Sequence, residues 1–132
     1  MKIASSTWYN RQHQLDIDNN EQKFDKSIDN FLQVKMWDIE EDLFENGELK
    51  YEKPNDNELK MIVDFINKHK DKSVFMVHCS AGISRSGAVA TFLYDKFLSE
   101  IDKEQFRREN KYIRPNLYIL NRLKSLDTVV LE

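Results

Sequence analysis

The chain of 132 residues is poor in the residue types that often carry special structural roles. It has one cysteine, two prolines and three glycines. The single cysteine, Cys79, excludes an internal disulfide and a cysteine-based zinc site, and it favours a reducing compartment. No apolar run approaches the ~20 residues that span a membrane, and the first residues lead directly into polar sequence without a signal peptide. We therefore expect a cytoplasmic protein that makes no membrane contact.

Charge and hydrophobicity narrow the class of protein further. Lysine and arginine number 20 against 23 aspartates and glutamates, so the formal net charge is −3. Proteins that bind nucleic acids usually carry net positive charge, and we expect no nucleic-acid partner. Hydrophobic residues make up 40% of the chain, which is enough for a core and excludes wholesale disorder. We predict a single domain over residues 1–132, acting as a monomer.

The spacing of apolar residues predicts alternating helices and strands. The predicted strands are a short edge strand at 2–8, a strand at 31–37 and a buried, central, parallel strand at 73–77. The predicted helices cover residues 21–30, a segment from an Asn55 or Asp56 cap to about residue 70, and residues 84–98, 102–111 and 116–126. Residues 10–20 and 38–54 are predicted to be loops. This order of elements indicates α/β layers.

The scarce residue types are concentrated in one window of ten residues. The only cysteine, two of the three glycines and one of the three histidines lie between His78 and Gly87. Elsewhere the chain is rich in lysine, asparagine, aspartate and glutamate, which is typical of a solvated surface. The window is therefore the first candidate for chemistry.

The order of residues in this window predicts an anion site. A buried strand ends, a short turn begins at Cys79, and a helix begins beside Arg85. A turn that enters a helix N-terminus directs several backbone N–H groups to one point, and a dianionic phosphate fits that point best. Gly82 permits the close backbone approach, and Arg85 offers a planar fork that matches two phosphate oxygens. Cys79 at the floor of this field is a candidate nucleophile.

His78 and Cys79 stand five residues before Arg85 and Ser86. This arrangement resembles the signature loop of the cysteine-based protein tyrosine and dual-specificity phosphatases. The first half, His-Cys-Ser-Ala-Gly, has the form of tyrosine-specific members, whereas Ile-Ser-Arg-Ser resembles dual-specificity members. Small phage or bacterial members look most similar. The loop is not the nucleotide-binding Walker loop, because no Gly-Lys-Ser or Gly-Lys-Thr is present.

The resemblance extends beyond the loop and covers about residues 31–126. It includes the neighbouring strands and helices and the segment Arg114-Pro115-Asn116, whereas residues 1–20 match poorly. The resemblance implies the family's α/β fold of three layers, in which helices flank a mostly parallel central sheet of about four or five strands.

The resemblance also implies a role for each residue of the loop. Cys79 would attack phosphorus to form a cysteinyl-phosphate, and the Ser86 hydroxyl would donate a hydrogen bond to the sulfur, easing its departure in the hydrolysis step. His78 and Asn116 would support the loop without transferring protons. The phosphoryl oxygens would be bound by the guanidinium of Arg85 and by the backbone amides of Ser80, Ala81, Gly82, Ile83, Ser84 and Arg85. No metal and no cofactor is implied.

A phenolate leaving group needs a proton donor at neutral pH. The family uses an aspartate on a loop after an upstream strand, and Asp38, which follows Val34-Lys35-Met36-Trp37, has that position. Asp42 in the same acidic segment is the alternative. The 41-residue gap between Asp38 and Cys79 is longer than is usual in the family. Residues 43–54 account for the excess and could overhang the pocket.

The leading functional hypothesis is hydrolysis of phosphotyrosine in a phosphorylated protein or peptide, and phosphoserine and phosphothreonine stay open. The alternative is a phosphoinositide or RNA 5′-phosphate phosphatase that uses the same loop. A sulfurtransferase or a non-catalytic phosphate-binding protein would also contain a related loop. The variable positions of the loop, Ser80, Ala81, Ile83 and Ser84, are uncharged, which favours a singly phosphorylated protein side chain.

Overall fold

The computed structural model describes residues 2–6, 13–17, 31–34, 36–71, 74–79 and 83–129. The strands in these ranges are β1 (Lys2–Ser6), β2 (His13–Ile17), β3 (Phe31–Val34), β4 (Leu43–Glu45), β5 (Glu48–Tyr51) and β6 (Val74–His78). The helices are α1 (Asp56–Lys68), α2 (Arg85–Phe97), α3 (Glu100–Glu109) and α4 (Leu117–Val129). None of these four helices is long and apolar enough to cross a membrane.

Four strands pair side by side in the order β1-β6-β2-β3, and each of the three pairings is parallel. The last residue of β6, His78, pairs with Ser6 of β1 and with Asp16 of β2. The carboxyl ends of parallel strands meet at one edge, where α/β proteins commonly bind ligands. Cys79 and the segment that follows β3 therefore emerge from the same edge of the sheet.

The helices cover the sheet and supply most of the core. α1 contacts β3 and α4, and α4 contacts α2, which in turn packs against β1, β2 and β6. The apolar spacing of α1 is typical of an amphipathic helix. Its buried face consists of Leu59, Ile62, Val63, Phe65 and Ile66. Burial of each such side chain contributes about 1.5–3 kcal/mol, so this packing fixes the helices that carry the site against the sheet.

The N-terminus of α1 confirms one of the two predicted caps. The side-chain oxygen of Asn55 accepts a hydrogen bond from the backbone N–H of Glu58 at 2.9 Å, so Asn55 rather than Asp56 is the cap. α3 begins in the same way, because Ser99 Oγ accepts from the N–H of Asp102 at 3.3 Å. This cap starts α3 at Glu100, two residues before the predicted boundary.

Two predicted loops were wrong, because each contains strands. Residues 10–20 include β2, whose partners β3 and β6 lie far away in the sequence, so pairing rather than local pattern determines it. Residues 38–54 include the antiparallel β4–β5 hairpin. Its turn is Asn46-Gly47, with φ of 54° and 80°, and this dipeptide suits the tight turns of hairpins. The predicted strand at 31–37 is also shorter and ends at Val34.

The remaining elements fall near their predicted positions. The edge strand β1, the helices α1, α2 and α4, and the strand β6 agree with the predicted ranges to within about three residues at each end. The predicted helix at residues 21–30 lies outside the described residues. The described part of the chain is thus an α/β arrangement with a small second sheet.

Candidate active site

Cys79 follows β6 directly and is buried. Its Sγ lies 3.1 Å from the hydroxyl oxygen of Ser86, within hydrogen-bond distance. The backbone N–H of Ser86 also donates to the same sulfur at 3.4 Å. Because Ser86 is the second residue of α2, the sulfur faces the first turn of this helix. The positive end of the helix dipole is therefore directed at the thiol group.

The serine that precedes α2 does not cap the helix with its side chain. Ser84 precedes the helix, but its side chain makes no hydrogen bond to the first-turn amides. Its hydroxyl donates instead to Oδ1 of Asp38 at 2.8 Å. Serine at this position most often caps its own helix. Here it joins the helix to the segment that follows β3.

Arg85 is buried at the start of α2. Its Nη1 donates a hydrogen bond to the backbone carbonyl of Met36 at 2.8 Å. Met36 lies two residues after β3 and is itself buried. A guanidinium presents five N–H donors in a fixed plane, so one firm bond to a carbonyl sets the orientation of the others.

Asp38 is exposed, and its Oδ1 is the point where three segments meet. Besides the hydroxyl of Ser84, it accepts from Nδ2 of Asn116 at 3.0 Å. These two donors come from the start of α2 and from the residue before α4. Two hydrogen bonds to one carboxylate oxygen hold the side chain in a defined orientation and leave Oδ2 for other contacts.

Asn116 uses both ends of its amide. Nδ2 also donates to the carbonyl of Ile39 at 3.2 Å, and Oδ1 accepts from the N–H of Ile119 at 3.1 Å, which caps α4. Its backbone N–H donates to the carbonyl of Ser84 at 3.1 Å. One buried side chain thus joins α4 to the acidic segment while its backbone joins α4 to α2.

A glycine in α2 favours the close approach of these segments. A Cβ added at Gly87 would lie 3.2 Å from Cβ of Ile113, which is tighter than about nine in ten real contacts of this kind, so Ile113 would have to shift. The neighbouring N–H of Arg114 donates to the carbonyl of Ile83 at 3.0 Å. Gly87 therefore lets residues 113–116 lie directly against the first turn of α2.

The structure brings six of the predicted site residues into one network: Cys79, Ser84, Arg85, Ser86, Asp38 and Asn116. Ile83 is exposed, and its carbonyl accepts a hydrogen bond from the backbone N–H of Arg114. The side chain of His78 and the whole of Ser80, Ala81 and Gly82 lie outside the described residues. Asp42 makes a different contact, because its Oδ1 accepts from the N–H of Lys53 at 2.9 Å beside the hairpin.

Sequence reasoning missed three contributors to this network. They are the carbonyl of Met36, the hydroxyl of Ser84 and the carboxylate of Glu40, whose Oε1 accepts from the N–H of Leu117 at 3.2 Å. Each contact joins residues more than 45 positions apart. No local pattern signals such contacts. For Ser84, the loop pattern predicts a phosphate contact by the backbone amide and says nothing of the hydroxyl.

The hairpin is attached to this region by aromatic packing. Trp37 and Tyr51 meet edge to face, with ring centroids 4.6 Å apart. Beside them is a depression lined by Met36, Trp37, Glu52, Lys53, Pro54, Asn55 and Glu58. Burial and the negative charge of Glu52 raise the pKa of Glu58, despite its hydrogen bonds with Asn55, which act to lower the pKa. Two negatively charged side chains, Glu52 and Glu58, therefore lie close together beside the segment that carries Asp38.

The described residues hold the parts that covalent phosphoryl transfer requires. They include a buried thiol, a guanidinium one residue from a hydroxyl that contacts the sulfur of that thiol, and a positioned carboxyl group. Within the same residues, no group of three or more histidine, cysteine, aspartate or glutamate side chains is arranged to hold a metal ion.

Solved structures of known proteins share the fold of this chain. A crystal structure of PTPMT1 in complex with PI(5)P shares the fold with a TM-score of 0.51 and 18% identity, covering 89% of this chain and 78% of that one. A crystal structure of DUSP15 gives a TM-score of 0.50 and 19% identity, covering 89% of this chain and 70% of that one. No curated protein sequence matches. The sequence model described as protein-tyrosine phosphatase matches residues 3–114, and the chain therefore belongs to the protein-tyrosine phosphatase family and is a phosphatase.

Proposed function

We propose that this phosphatase hydrolyses phosphotyrosine in proteins through a phosphate ester of Cys79. The observation that carries the proposal is the environment of Sγ, which lies 3.1 Å from the Ser86 hydroxyl and accepts from the first turn of α2. These donors stabilise negative charge on sulfur. A thiolate at the floor of an anion site is placed to attack a bound phosphoryl group.

In the first step, Sγ of Cys79 attacks phosphorus, and the bond between phosphorus and the tyrosine oxygen breaks. Arg85 and the N–H groups of the loop bind the equatorial oxygens, whose charge is spread in the transition state. Asp38, in its acid form, gives its proton to the departing phenolate. The products of this step are the free tyrosine side chain and cysteinyl-phosphate.

In the second step, Asp38 is a carboxylate and removes a proton from a water molecule that attacks phosphorus. The bond between sulfur and phosphorus breaks, and inorganic phosphate forms. The Ser86 hydroxyl donates a hydrogen bond to the departing thiolate, which stabilises the charge that returns to sulfur. None of these steps calls for a metal or a cofactor.

The contacts of Asp38 support it over Asp42 as the acid. Its Oδ1 is held by Ser84 and Asn116, and Ser84 directly precedes Arg85. This arrangement leaves Oδ2 to carry the proton toward the phosphate loop. Asp42 is instead engaged by the backbone of Lys53 beside the hairpin. His78 and Asn116 remain supporting residues in this proposal.

We further propose that the chain acts as one monomeric catalytic domain with helices on both faces of the parallel sheet. A cytoplasmic location would keep Cys79 reduced, as the mechanism requires. A phosphoinositide phosphatase is the alternative, and the PTPMT1 structure contains PI(5)P. Identity of 18% supports only the shared fold, and the uncharged loop positions Ser80, Ala81, Ile83 and Ser84 favour a singly phosphorylated side chain.

The experiment that tests the proposal is turnover of a tyrosine-phosphorylated peptide by matched variants. Cys79→Ser should abolish turnover while vanadate still binds. Arg85→Lys should lose most of kcat/KM, because a point charge cannot make paired contacts with two oxygens. Substantial turnover by Cys79→Ser would remove the covalent mechanism. Faster turnover of phosphoinositide vesicles than of the peptide would instead favour the alternative substrate class.

A further inference from the structure

The hairpin surface, which we define as Trp37, Leu43, Phe44 and Leu49, exposes an unusual amount of apolar area. The exposed fractions are 65% for Phe44, 50% for Leu49, 43% for Trp37 and 41% for Leu43. Phe44 and Leu49 are direct cross-strand partners, and Leu43 is paired with Tyr51, which contacts Trp37. Isolated exposed apolar residues are common, but a connected group of this kind marks a site of interaction.

The same segment carries a strong negative charge. Residues 38–52 contain seven carboxylates and one lysine, which gives a formal charge of −6. The whole chain has a net charge of −3, so the rest of the chain has a formal charge of +3. Lys50 pairs with Glu45 at 2.6 Å. Within the described ranges, no lysine or arginine side chain forms an ion pair with Asp38, Glu40, Glu41 or Asp42.

This surface begins at the proposed active site. Asp38 lies beside Trp37 in sequence, and Arg85 is hydrogen-bonded to the preceding residue, Met36. An open depression next to Asp38 is lined by Asp38, Ile39, Glu40, Glu41 and Leu43. Its lining combines three carboxylates with two apolar side chains. A chain with its phosphotyrosine in the loop would therefore pass over this depression and the hairpin.

The charge of the segment selects among substrates. A phosphate dianion approaching this negatively charged segment is repelled unless its carrier brings positive charge, and a ligand with several phosphates is repelled more strongly. A peptide with lysine or arginine beside the phosphotyrosine would offset this repulsion, and its apolar residues would cover the exposed pair on the hairpin. Resting on the proposed function, we propose that the hairpin surface and its carboxylates bind basic and apolar residues that flank the phosphotyrosine of the substrate protein.

Two phosphopeptides with the same central phosphotyrosine test this proposal. One is flanked by arginine and leucine, and the other by glutamate and serine. We expect kcat/KM to favour the basic peptide by about tenfold or more at low ionic strength, and the preference to shrink as salt screens the charges. p-Nitrophenyl phosphate, which has no flanking residues, serves as the reference substrate. The affinity of the Cys79→Ser protein for both peptides is measured in parallel. The peptide preference is then determined from binding alone, independently of turnover.

Two double variants assign the preference to the hairpin surface. Glu41→Lys with Glu48→Lys should remove most of the charge preference, and Phe44→Ser with Leu49→Ser should weaken binding of the basic peptide. The matched control is Asp71→Lys with Glu104→Lys, which changes the net charge equally. Both control residues are exposed, and Glu104 lies on α3, which packs against β1 at the opposite edge of the sheet from β3. The control should keep the preference, and all variants should keep the kcat for p-nitrophenyl phosphate at saturating substrate, where repulsion during approach no longer affects the rate.

Several results would overturn the proposal. Equal affinity for the two peptides would do so. An effect of the control variant on the peptide preference as large as that of Glu41→Lys with Glu48→Lys would also overturn it. Stronger binding of phosphoinositide vesicles than of the basic peptide is the third such result. A dimer in sedimentation that Phe44→Ser with Leu49→Ser dissociates would show that a second copy covers the surface. Failure of the proposed function has a different signature, namely no turnover of p-nitrophenyl phosphate by the unmodified protein or turnover that survives Cys79→Ser.

Discussion

Replacing Asp38 by asparagine tests the general acid with little disturbance of the structure. The amide oxygen of asparagine occupies the position of Oδ1 and still accepts from Ser84 and Asn116. The side chain is exposed, so no cavity or buried polar group is created. The change removes the charge assistance of two hydrogen bonds, which costs about 1 kcal/mol of unfolding free energy or less. What it removes completely is the transferable proton.

The expected loss of activity is much larger than this loss of stability. A positioned general acid contributes about 10²–10⁴-fold, which corresponds to about 2.7–5.4 kcal/mol of transition-state stabilisation. Phenyl phosphate, whose leaving group resembles tyrosine, should show the full loss in kcat/KM. p-Nitrophenyl phosphate should lose less than about tenfold, because its leaving group departs without a proton while Cys79 and Arg85 are intact. The basic limb of the pH–rate profile should also flatten, since that limb reports loss of the acid's proton.

Asp42→Asn is the matched control for this assay. Its side chain contacts the backbone of Lys53, so the same chemical change should leave both substrates nearly unaffected. If Asp42→Asn shows the leaving-group dependence and Asp38→Asn does not, the acid is Asp42. If Asp38→Asn slows both substrates equally, Asp38 acts only by joining Ser84 and Asn116. If neither variant has an effect, the proton comes from another group.

The sequence predicted the part of the site that is continuous in the chain. Cys79, Arg85 and Ser86 lie within eight residues of one another, and their spacing alone indicates a phosphate loop before a helix. The contact between Sγ and the Ser86 hydroxyl follows from this local geometry. Asp38 could be proposed as the acid because it follows an apolar strand, but the sequence offers no independent means of choosing it over the five acidic residues at positions 40–48.

The parts that escaped prediction depend on contacts between distant segments. The hydroxyl of Ser84 caps no helix and reaches Asp38 instead, which can be seen only when α2 and the segment after β3 are side by side. β2 was missed because its place in the sheet is decided by two partner strands. The β4–β5 hairpin is a different case. Its Asn46-Gly47 turn is visible in the sequence, but the charged residues around it are typical of a loop and obscure the two short strands.

Two further predictions concern the thiolate and the packing of α4. Ser86→Ala removes the hydrogen bond between the hydroxyl and the Cys79 sulfur and should slow the second step by about 10–10²-fold. The assay should then show a burst of p-nitrophenol before slow turnover. Equal slowing of burst and turnover would refute a role of Ser86 in the second step. The Asp127 carboxylate accepts hydrogen bonds from Lys96 at 2.6 Å and from Asn67 at 3.2 Å, and its pKa is lowered. Burial is the largest single influence and acts to raise this pKa, but the two hydrogen bonds and the charge of Lys96 together outweigh it. A lowered pKa in the folded protein means that the stabilisation is complete above the ordinary value of 3.8 and is lost as the pH falls through the lowered value. In urea unfolding, Asp127→Asn should therefore lower the free energy of unfolding at pH 7 and shrink the difference in that free energy between about pH 7 and pH 3. Asp95 forms a more exposed ion pair with Lys124, so Asp95→Asn should change this difference less. An undiminished difference in Asp127→Asn would show that this carboxylate does not couple the packing of α4 to pH.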